Sequence, residues 1–469
     1  RCADLAFRAV DVMSKSGAPR GSRAPRVVTS LTNERVKAIR ALDMRKTRRE
    51  TGLFVAEGTS ILETAREAGF EAPQTIVYQA GSAASLVSRL LIRWALEAGL
   101  GEAGRLPGSP RVRMTASLVA HVAMDEAVMA LVQGPSRFPR RADYERVGAE
   151  LAEAKQLFTE RGWIEDPRSY HRDPEPLTDP LVTRGWALGQ SYDRLSWRSG
   201  YDARPEEPGA ARWSSFGPNR TAAAWVLEHG DRPRPWLVGV HGFGTGAPVA
   251  DMVTFRALHL HHDLGWNVAA VVLPVHGSRR SSAIGGEDFL GFDLMNSVHA
   301  LAQSVWDVRR LLSWVRTRGP AAVVLHGVSL GGYITALTTC FDGDLDAAIA
   351  GIPVCDLPAL LSRQFPAHVR RRAIEHGILE GCAEQVHRVV SPLAMPSLLD
   401  PQRRFIFAGL GDRMAVPTQA HALWEHWERP TICWFPGNHV GYLWSAKVAG
   451  FVDSVLRDVA GDQPPPPST

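Results

Sequence analysis

Between residues 236 and 435 the chain alternates short, almost wholly apolar runs with longer stretches whose apolar residues recur at helical spacing. The runs lie at 236–240, 267–273, 321–325, 347–352, 405–408 and 431–435. A run with no polar face suits a strand covered on both sides, as in a parallel sheet whose crossover helices lie on both faces. Ahead of this series, 144–161 predicts a helix, and 194–197, 211–216 and 221–228 predict antiparallel strands. Residues 356–403 break the rhythm with helical, proline-punctuated sequence too long for an ordinary connection, and predict a helical cap of about those bounds. The fold class that follows for 144–460 is α/β, with a mostly parallel sheet and helices on both faces.

The N-terminal part has a different texture. Val36, Ile39 and Leu42 form a narrow apolar stripe on a predicted helix, surrounded by Arg35, Lys37, Arg40, Arg45, Lys46, Arg48 and Arg49. A short apolar run at 52–58 suits a buried strand; helical pattern follows at 60–67, a strand at 75–78 and a helix at 86–98. With a Gly/Pro loop near 101–110 and the stretch 112–132, these predict a small α/β domain over 26–133. Pro135, Pro139 and clustered arginines mark a linker at 134–143. Residues 1–25 are expected to be disordered or spurious, and 461–469, with Pro464 to Pro467, a disordered tail. The start at Arg1 suggests a fragment or an imprecisely placed start.

Composition changes this picture little, but the charge distribution does. The 469 residues are 45% hydrophobic and 22% charged, as in an ordinary globular protein. The net charge is +4 overall, yet residues 1–57 hold 13 Lys and Arg against 6 Asp and Glu, a net of +7, which leaves −3 for the rest. The basic character therefore belongs to the N-terminal region, and the two regions face different partners. No stretch reaches the roughly 18–20 apolar residues of a membrane span, and no secretory h-region follows the N-terminus, so a cytoplasmic location is expected. Cys2, Cys340, Cys355, Cys382 and Cys433 are scattered, with neither disulfide nor zinc spacing. His259, His261 and His262 lack the i, i+4 spacing that puts two ligands on one helix face, and no metal or cofactor is predicted.

Candidate chemistry lies where the strand runs end. The run 321–325 leads into His326-Gly327-Val328-Ser329-Leu330-Gly331-Gly332, with a helix predicted from Tyr333. A serine on so tight a strand-to-helix turn needs glycine at the flanking positions, and its hydroxyl then sits at the helix N-terminus. The pentapeptide alone arises by chance; its context between strand and helix carries the reading. After 236–240 comes His241-Gly242-Phe243-Gly244-Thr245-Gly246, a turn able to present the Phe243 N–H toward an oxyanion shared with the Leu330 N–H. Pro274-Val275-His276-Gly277-Ser278, after the next strand, is assigned a structural role. The run 405–408 leads to Gly409-Leu410-Gly411-Asp412, and 431–435 to Pro436-Gly437-Asn438-His439. Open α/β sheets assemble their sites at such strand ends. Ser329, Asp412 and His439 thus supply a nucleophile, an acid and a base, since a serine hydroxyl needs a neutral imidazole to take its proton and the imidazole needs a carboxylate to orient it. A turn aspartate and a capping histidine are the bland alternatives for the last two taken singly.

On these four segments, from about 236 to 456, the chain resembles an α/β hydrolase of the esterase, lipase and peptidase superfamily. The resemblance implies an acyl-enzyme pathway: Ser329 attacks a carbonyl, Phe243 and Leu330 hold the tetrahedral intermediate, and His439, oriented by Asp412, passes the proton to the leaving group before activating water. A small-molecule carboxylic ester is the expected substrate; acyl transfer or peptide cleavage by the same three residues is the alternative, because this fold hosts many reactions.

The run from Thr29 to Lys37, then Arg45-Lys46-Thr47-Arg48-Arg49 and Gly52-Leu53-Phe54-Val55-Ala56-Glu57-Gly58, resembles the L30e-like substrate-binding domain of the SpoU family of RNA ribose 2'-O-methyltransferases. The resemblance spans 26–133 and is strongest before Glu67. It implies contacts with structured RNA, for which Lys37, Lys46, Arg48 and Arg49 suit phosphates; a solvated charged helix face is the other reading. The family's methyltransferase domain has no counterpart here, so methyl transfer is not expected. Either the chain is a true fusion, or two neighbouring coding regions have been joined. An RNA-binding protein with an inactive hydrolase half is the rival from another functional class.

Overall fold

In the computed structural model the described residues are 139–461 except 366 and 380, together with 106–110, 118, 120–125, 129 and three short N-terminal strands. The chain divides into two compact units, 1–96 and 97–469. In the first, β1 (Phe7–Asp11) is the central strand of a three-stranded antiparallel sheet, flanked by β2 (Arg26–Val28) and β3 (Thr75–Gln79). Strand β3 falls where a strand is expected, whereas β1 lies in the stretch expected to be disordered or spurious. The basic helix with Lys37, Lys46, Arg48 and Arg49, the 52–58 strand and the proline-rich tail lie outside the described residues.

The second unit is built on a nine-stranded sheet of order β12-β11-β10-β9-β7-β8-β6-β5-β4. The strands are β4 (Leu181–Ala187), β5 (Gln190–Arg198), β6 (Thr221–Leu227), β7 (Trp236–Val240), β8 (Asn267–Val272), β9 (Val323–Val328), β10 (Ala347–Gly351), β11 (Arg404–Gly409) and β12 (Thr431–Phe435). From β12 across to β8 every pairing is parallel, and β6, β5 and β4 continue the sheet by antiparallel pairings. The six apolar runs are these six parallel strands. Alternate side chains face opposite ways, so Trp236, Val238 and Val240 join one core layer and Leu237 the other, and Val271 and Val268 divide likewise.

Helices cover both faces. On one lie α1 (Arg141–Glu160) and the long α5 (Leu294–Thr317); on the other, α4 (Ala257–His262) and α11 (Ala446–Ala460). The helices α2 (Ala210–Ser214), α3 (Pro248–Thr254), α6 (Leu330–Thr338) and α10 (Pro417–His426) fill the connections. In the region expected to be a cap stand α7 (Leu357–Gln364), α8 (Ala367–Glu375) and α9 (Cys382–His387). Leu360, Leu361 and Ile378 are buried in the main core and Phe365 packs against it, so these apolar residues pack the cap onto the body.

Two local expectations fail. Residues 211–216 form no strand: α2 and a following turn occupy them, because Trp213 and Phe216, three apart, bring their rings together on one side of a helical turn. The hairpin strand β4 was not anticipated. It pairs only with β5, at the sheet edge, and leaves Leu181, Val182 and Trp186 exposed, so it carries no buried-face alternation. The unit boundary also falls earlier than the linker at 134–143. Leu118, Val122 and Asp125 are buried within the second unit, and Gly108 lies against the Trp424 ring of α10, so the described residues between 106 and 125 pack with the large sheet.

The sheet order positions a site. From central β7 the chain goes through α3 and α4 to β8 on one side, then through α5 to β9 on the other side. The connections diverge at the carboxyl ends of β7 and β9, where an open α/β sheet forms its crevice.

Candidate active site

The loop after β9 places Ser329 as the residue before α6, with φ 57° and ψ −116°, a conformation that side chains other than glycine rarely adopt. What holds it there is the closeness of the neighbouring backbone. A Cβ on Gly327 would stand 2.0 Å from the Gly331 carbonyl oxygen, and one on Gly331 would stand 1.9 Å from that of Val240. The Ser329 N–H donates to Gly351 O at 2.8 Å, tying the elbow to β10. Leu330, the first residue of α6, carries one of the N–H groups that a helix start leaves without an intrahelical acceptor.

The other two strand-end loops reach this serine. His439 Nε2 lies 2.9 Å from Ser329 Oγ, and His439 Nδ1 lies 2.7 Å from Asp412 Oδ2. Asp412 is held in turn by the N–H groups of Met414 and Ala415, which donate to its Oδ1 at 2.9 and 2.8 Å. One carboxylate oxygen is thus anchored in its own turn and the other faces the imidazole. His439 and Asp412 are buried and Ser329 is half-buried. Burial disfavours the imidazolium, but the Asp412 carboxylate and its hydrogen bond, with Asp125 adding to them, outweigh this and hold the His439 pKa above its ordinary value.

The turn after β7 lies against the elbow: a Cβ on Gly242 would be 3.4 Å from Ser329 Cβ. It is pinned from beneath. His241 Nε2 accepts the Leu273 N–H at 3.0 Å, which leaves Nδ1 to donate to Gly242 O at 2.7 Å. Burial lowers the His241 pKa to about 4, so the ring is neutral. Asp251 of α3 accepts from Gly246 N–H and from Trp225 Nε1, both at 3.2 Å, and burial pushes its pKa up to about 7. Phe243 stands edge-on to His276, whose Nδ1 lies 2.8 Å from Pro274 O in the turn after β8. That turn packs beside the β7 turn, and Arg279 just beyond it forms a fully buried pair with Asp307 at 2.9 Å. The cap joins the acid turn through Gln364 Nε2, which donates to Met414 O at 3.3 Å.

Three residues bordering the site carry no local sequence signal. Asp251 is one, Asn438 the second. The third is Asp125, from the stretch assigned by sequence to the N-terminal domain, whose carboxylate meets both the acid turn and the histidine loop. The histidines of α4 go to separate partners: His259 to Asp263 and Asp453, His261 to Trp266 O, and His262 to Gln190. Among the described residues no group of three or more His, Cys, Asp or Glu could hold a metal ion. No described helix is long and apolar enough to cross a membrane.

The strand order, the divergence at β7 and the serine elbow after β9 define the α/β-hydrolase fold. The chain is 38% identical over 353 residues to the uncharacterized proteins MT2702 and Rv2627c of Mycobacterium tuberculosis, an alignment covering 74% of this chain and 84% of each relative, and it belongs to their family. Residues 33–98 match the family model of an MRM3-like substrate binding domain, which ends next to the boundary between the two units. Similar solved structures include acetyl xylan esterase 1 from Thermoanaerobacterium sp., with 12% identity and a TM-score of 0.42 over 63% of this chain and 98% of that one. Another is esterase B from Lactobacillus Rhamnosis, with 15% identity and a TM-score of 0.39 over 68% of this chain and 95% of that one.

Proposed function

We propose that the protein is a serine hydrolase that cleaves a carboxylic ester through an acyl-enzyme on Ser329. The observation that carries this reading is the continuous line from Ser329 Oγ through the His439 ring to Asp412, at 2.9 and 2.7 Å. His439 Nε2 takes the hydroxyl proton as Ser329 Oγ attacks the ester carbonyl, and Asp412 stabilises the resulting imidazolium. The backbone N–H groups of Phe243 and Leu330 receive the oxyanion, whose charge develops at the start of α6. The tetrahedral intermediate collapses as His439 returns the proton to the leaving alkoxide; a water, deprotonated by the same imidazole, then releases the acid and restores Ser329. Incubation of the folded chain with a fluorophosphonate probe should label Ser329 and no other serine, and Ser329→Ala should abolish both labelling and hydrolysis of p-nitrophenyl esters. Absence of labelling in folded wild-type protein would remove the reading. Transfer to alcohol or amine acceptors instead of water would reassign the same residues to an acyltransferase, and cleavage of peptide substrates would reassign them to a peptidase.

The match of residues 33–98 to a substrate-binding domain supports a second function beside the first. The N-terminal unit binds structured RNA, with Lys37, Lys46, Arg48 and Arg49 contacting phosphates. Its affinity falls steeply with salt, by roughly one counterion per neutralised phosphate.

A further inference from the structure

Asp125 is buried within the second unit, at residues 120–125 of a helical segment that precedes the first helix covering the sheet. Its Oδ1 accepts from Asn438 Nδ2 at 2.7 Å, and its Oδ2 accepts from the His439 N–H at 2.9 Å and the Arg413 N–H at 3.0 Å. One carboxylate therefore adds a buried side-chain clamp to two loops that are also joined by the His439–Asp412 contact, by the Gly411 N–H donating to Gly437 O at 2.9 Å and by the strand pair β11–β12 beneath them. It binds each loop next to or at a residue of the proposed chemistry: Arg413 follows Asp412, and the other two donors are His439 itself and Asn438 before it. The same segment closes on the loops by packing. Leu118 and Val122 lie over Gly411, where an added Cβ would stand 2.5 Å from Leu118 Cδ1, and the His121 ring lies 6.5 Å from that of Trp444, just past the histidine loop.

We propose that Asp125 is a positioning residue that locks the acid turn to the histidine loop, so that the 118–125 segment completes the active site from outside the strand-and-helix series. The inference rests on the serine hydrolase reading above. Backbone donors alone could be satisfied by a neutral acceptor, but three donors converging on one buried group call for the carboxylate, which offers two oxygens and about four lone-pair sites. The carboxylate also acts through its charge. Burial and the neighbouring Asp412 raise the Asp125 pKa against the pull of the His439 and Arg413 N–H groups, and Asp125 in turn adds to the field that favours the His439 imidazolium. The ionisable groups on the elements packed here are His121 and Asp125 on the segment, Asp412 and Arg413 on the acid turn, and His439 on its loop.

The test uses the full chain. In Asp125→Ala the Arg413 and His439 N–H groups and the Asn438 amide lose their shared acceptor, so the two loops loosen. Misplacement on the scale of 1 Å costs on the order of 100-fold, and kcat for p-nitrophenyl acetate should fall ~10- to 100-fold with KM within about threefold. Loss of the negative charge should also lower the His439 pKa, read from the titration of its ring in histidine-labelled protein by NMR, a measurement that needs no turnover. A purely structural role would leave that titration in place. Wild-type kcat together with an unmoved titration would overturn the proposal, whereas a wild type that neither turns over nor takes up the fluorophosphonate would sink the hydrolase reading while the titration still judged Asp125. Should the variant fail to fold, hydrogen exchange in the wild type decides: the Arg413 and His439 amides should exchange as slowly as the β11 and β12 core, and exchange at the rate of an open loop would refute the lock.

Discussion

His439 sits between two opposing effects, burial that disfavours its charge and carboxylates that favour it, and the balance falls on the side of the imidazolium. The consequence is a direction in pH. In the proposed reaction His439 acts as neutral imidazole, so kcat/KM should fall as pH drops through a midpoint above the ordinary histidine value of 6.5, the reverse of what burial alone would produce. A pH profile of ester hydrolysis checks this, and an acid limb centred below 6.5 would contradict it. Ser329, Asp412 and His439 were legible in the sequence because each follows a strand-like run within a few residues and each belongs to a turn with its own glycine signature. Asp125 and Asp251 were not. An aspartate within a helical segment looks like a solvated residue, and only burial gives each of them a role, Asp125 against the His439 N–H and Asp251 against the Gly246 N–H and the Trp225 indole.

At the scale of elements, the elbow between β9 and α6 depends on packing between backbones. Gly331→Ala would drive a Cβ to 1.9 Å from the Val240 carbonyl, and neither strand nor helix can give way without moving the sheet. This substitution is expected to cost about 3 kcal/mol, the upper end for overpacking, seen as a lowered Tm or loss of soluble protein. Gly450→Ala on α11, with open space at its Cβ, should leave Tm unchanged or slightly raised and serves as the control. The six parallel strands were readable because burial on both faces leaves an apolar run with few polar interruptions. Strand β4 was not, because an edge strand exposed on both faces has no such constraint, and 211–216 misled because a single helical turn with Trp213 buried and Ser214 exposed also alternates.

For the whole molecule, the division at 96/97 assigns the 97–133 stretch to the unit of the nine-stranded sheet and nearly all of the matched domain to the other unit. Two shortened chains separate the consequences. One beginning at Glu97 should keep ester hydrolysis within about threefold of the full chain and lose RNA binding, whereas one beginning at Gly134 should lose at least ~10-fold in kcat because Asp125 is gone. In the full chain, neutralising Lys37, Lys46, Arg48 and Arg49 together should weaken RNA binding and flatten its salt dependence without changing hydrolysis, read by filter binding and by the ester assay. Equal turnover by both shortened chains would place the domain boundary at 134–143 after all.

The sequence by itself determined the parallel sheet, the serine elbow and the chain order of serine, acid and histidine, because these rest on short-range demands: apolar runs that must be covered, glycines that must let backbones approach, and turns at strand ends. Only the tertiary structure decided where the unit of the nine-stranded sheet begins and what braces Asp412 and His439. Asp125 meets Asn438 and His439 across more than 300 residues of chain. A contact over that distance leaves no periodicity and no local spacing; it exists only once the sheet has brought the carboxyl ends of β11 and β12 to the place where the earlier segment packs.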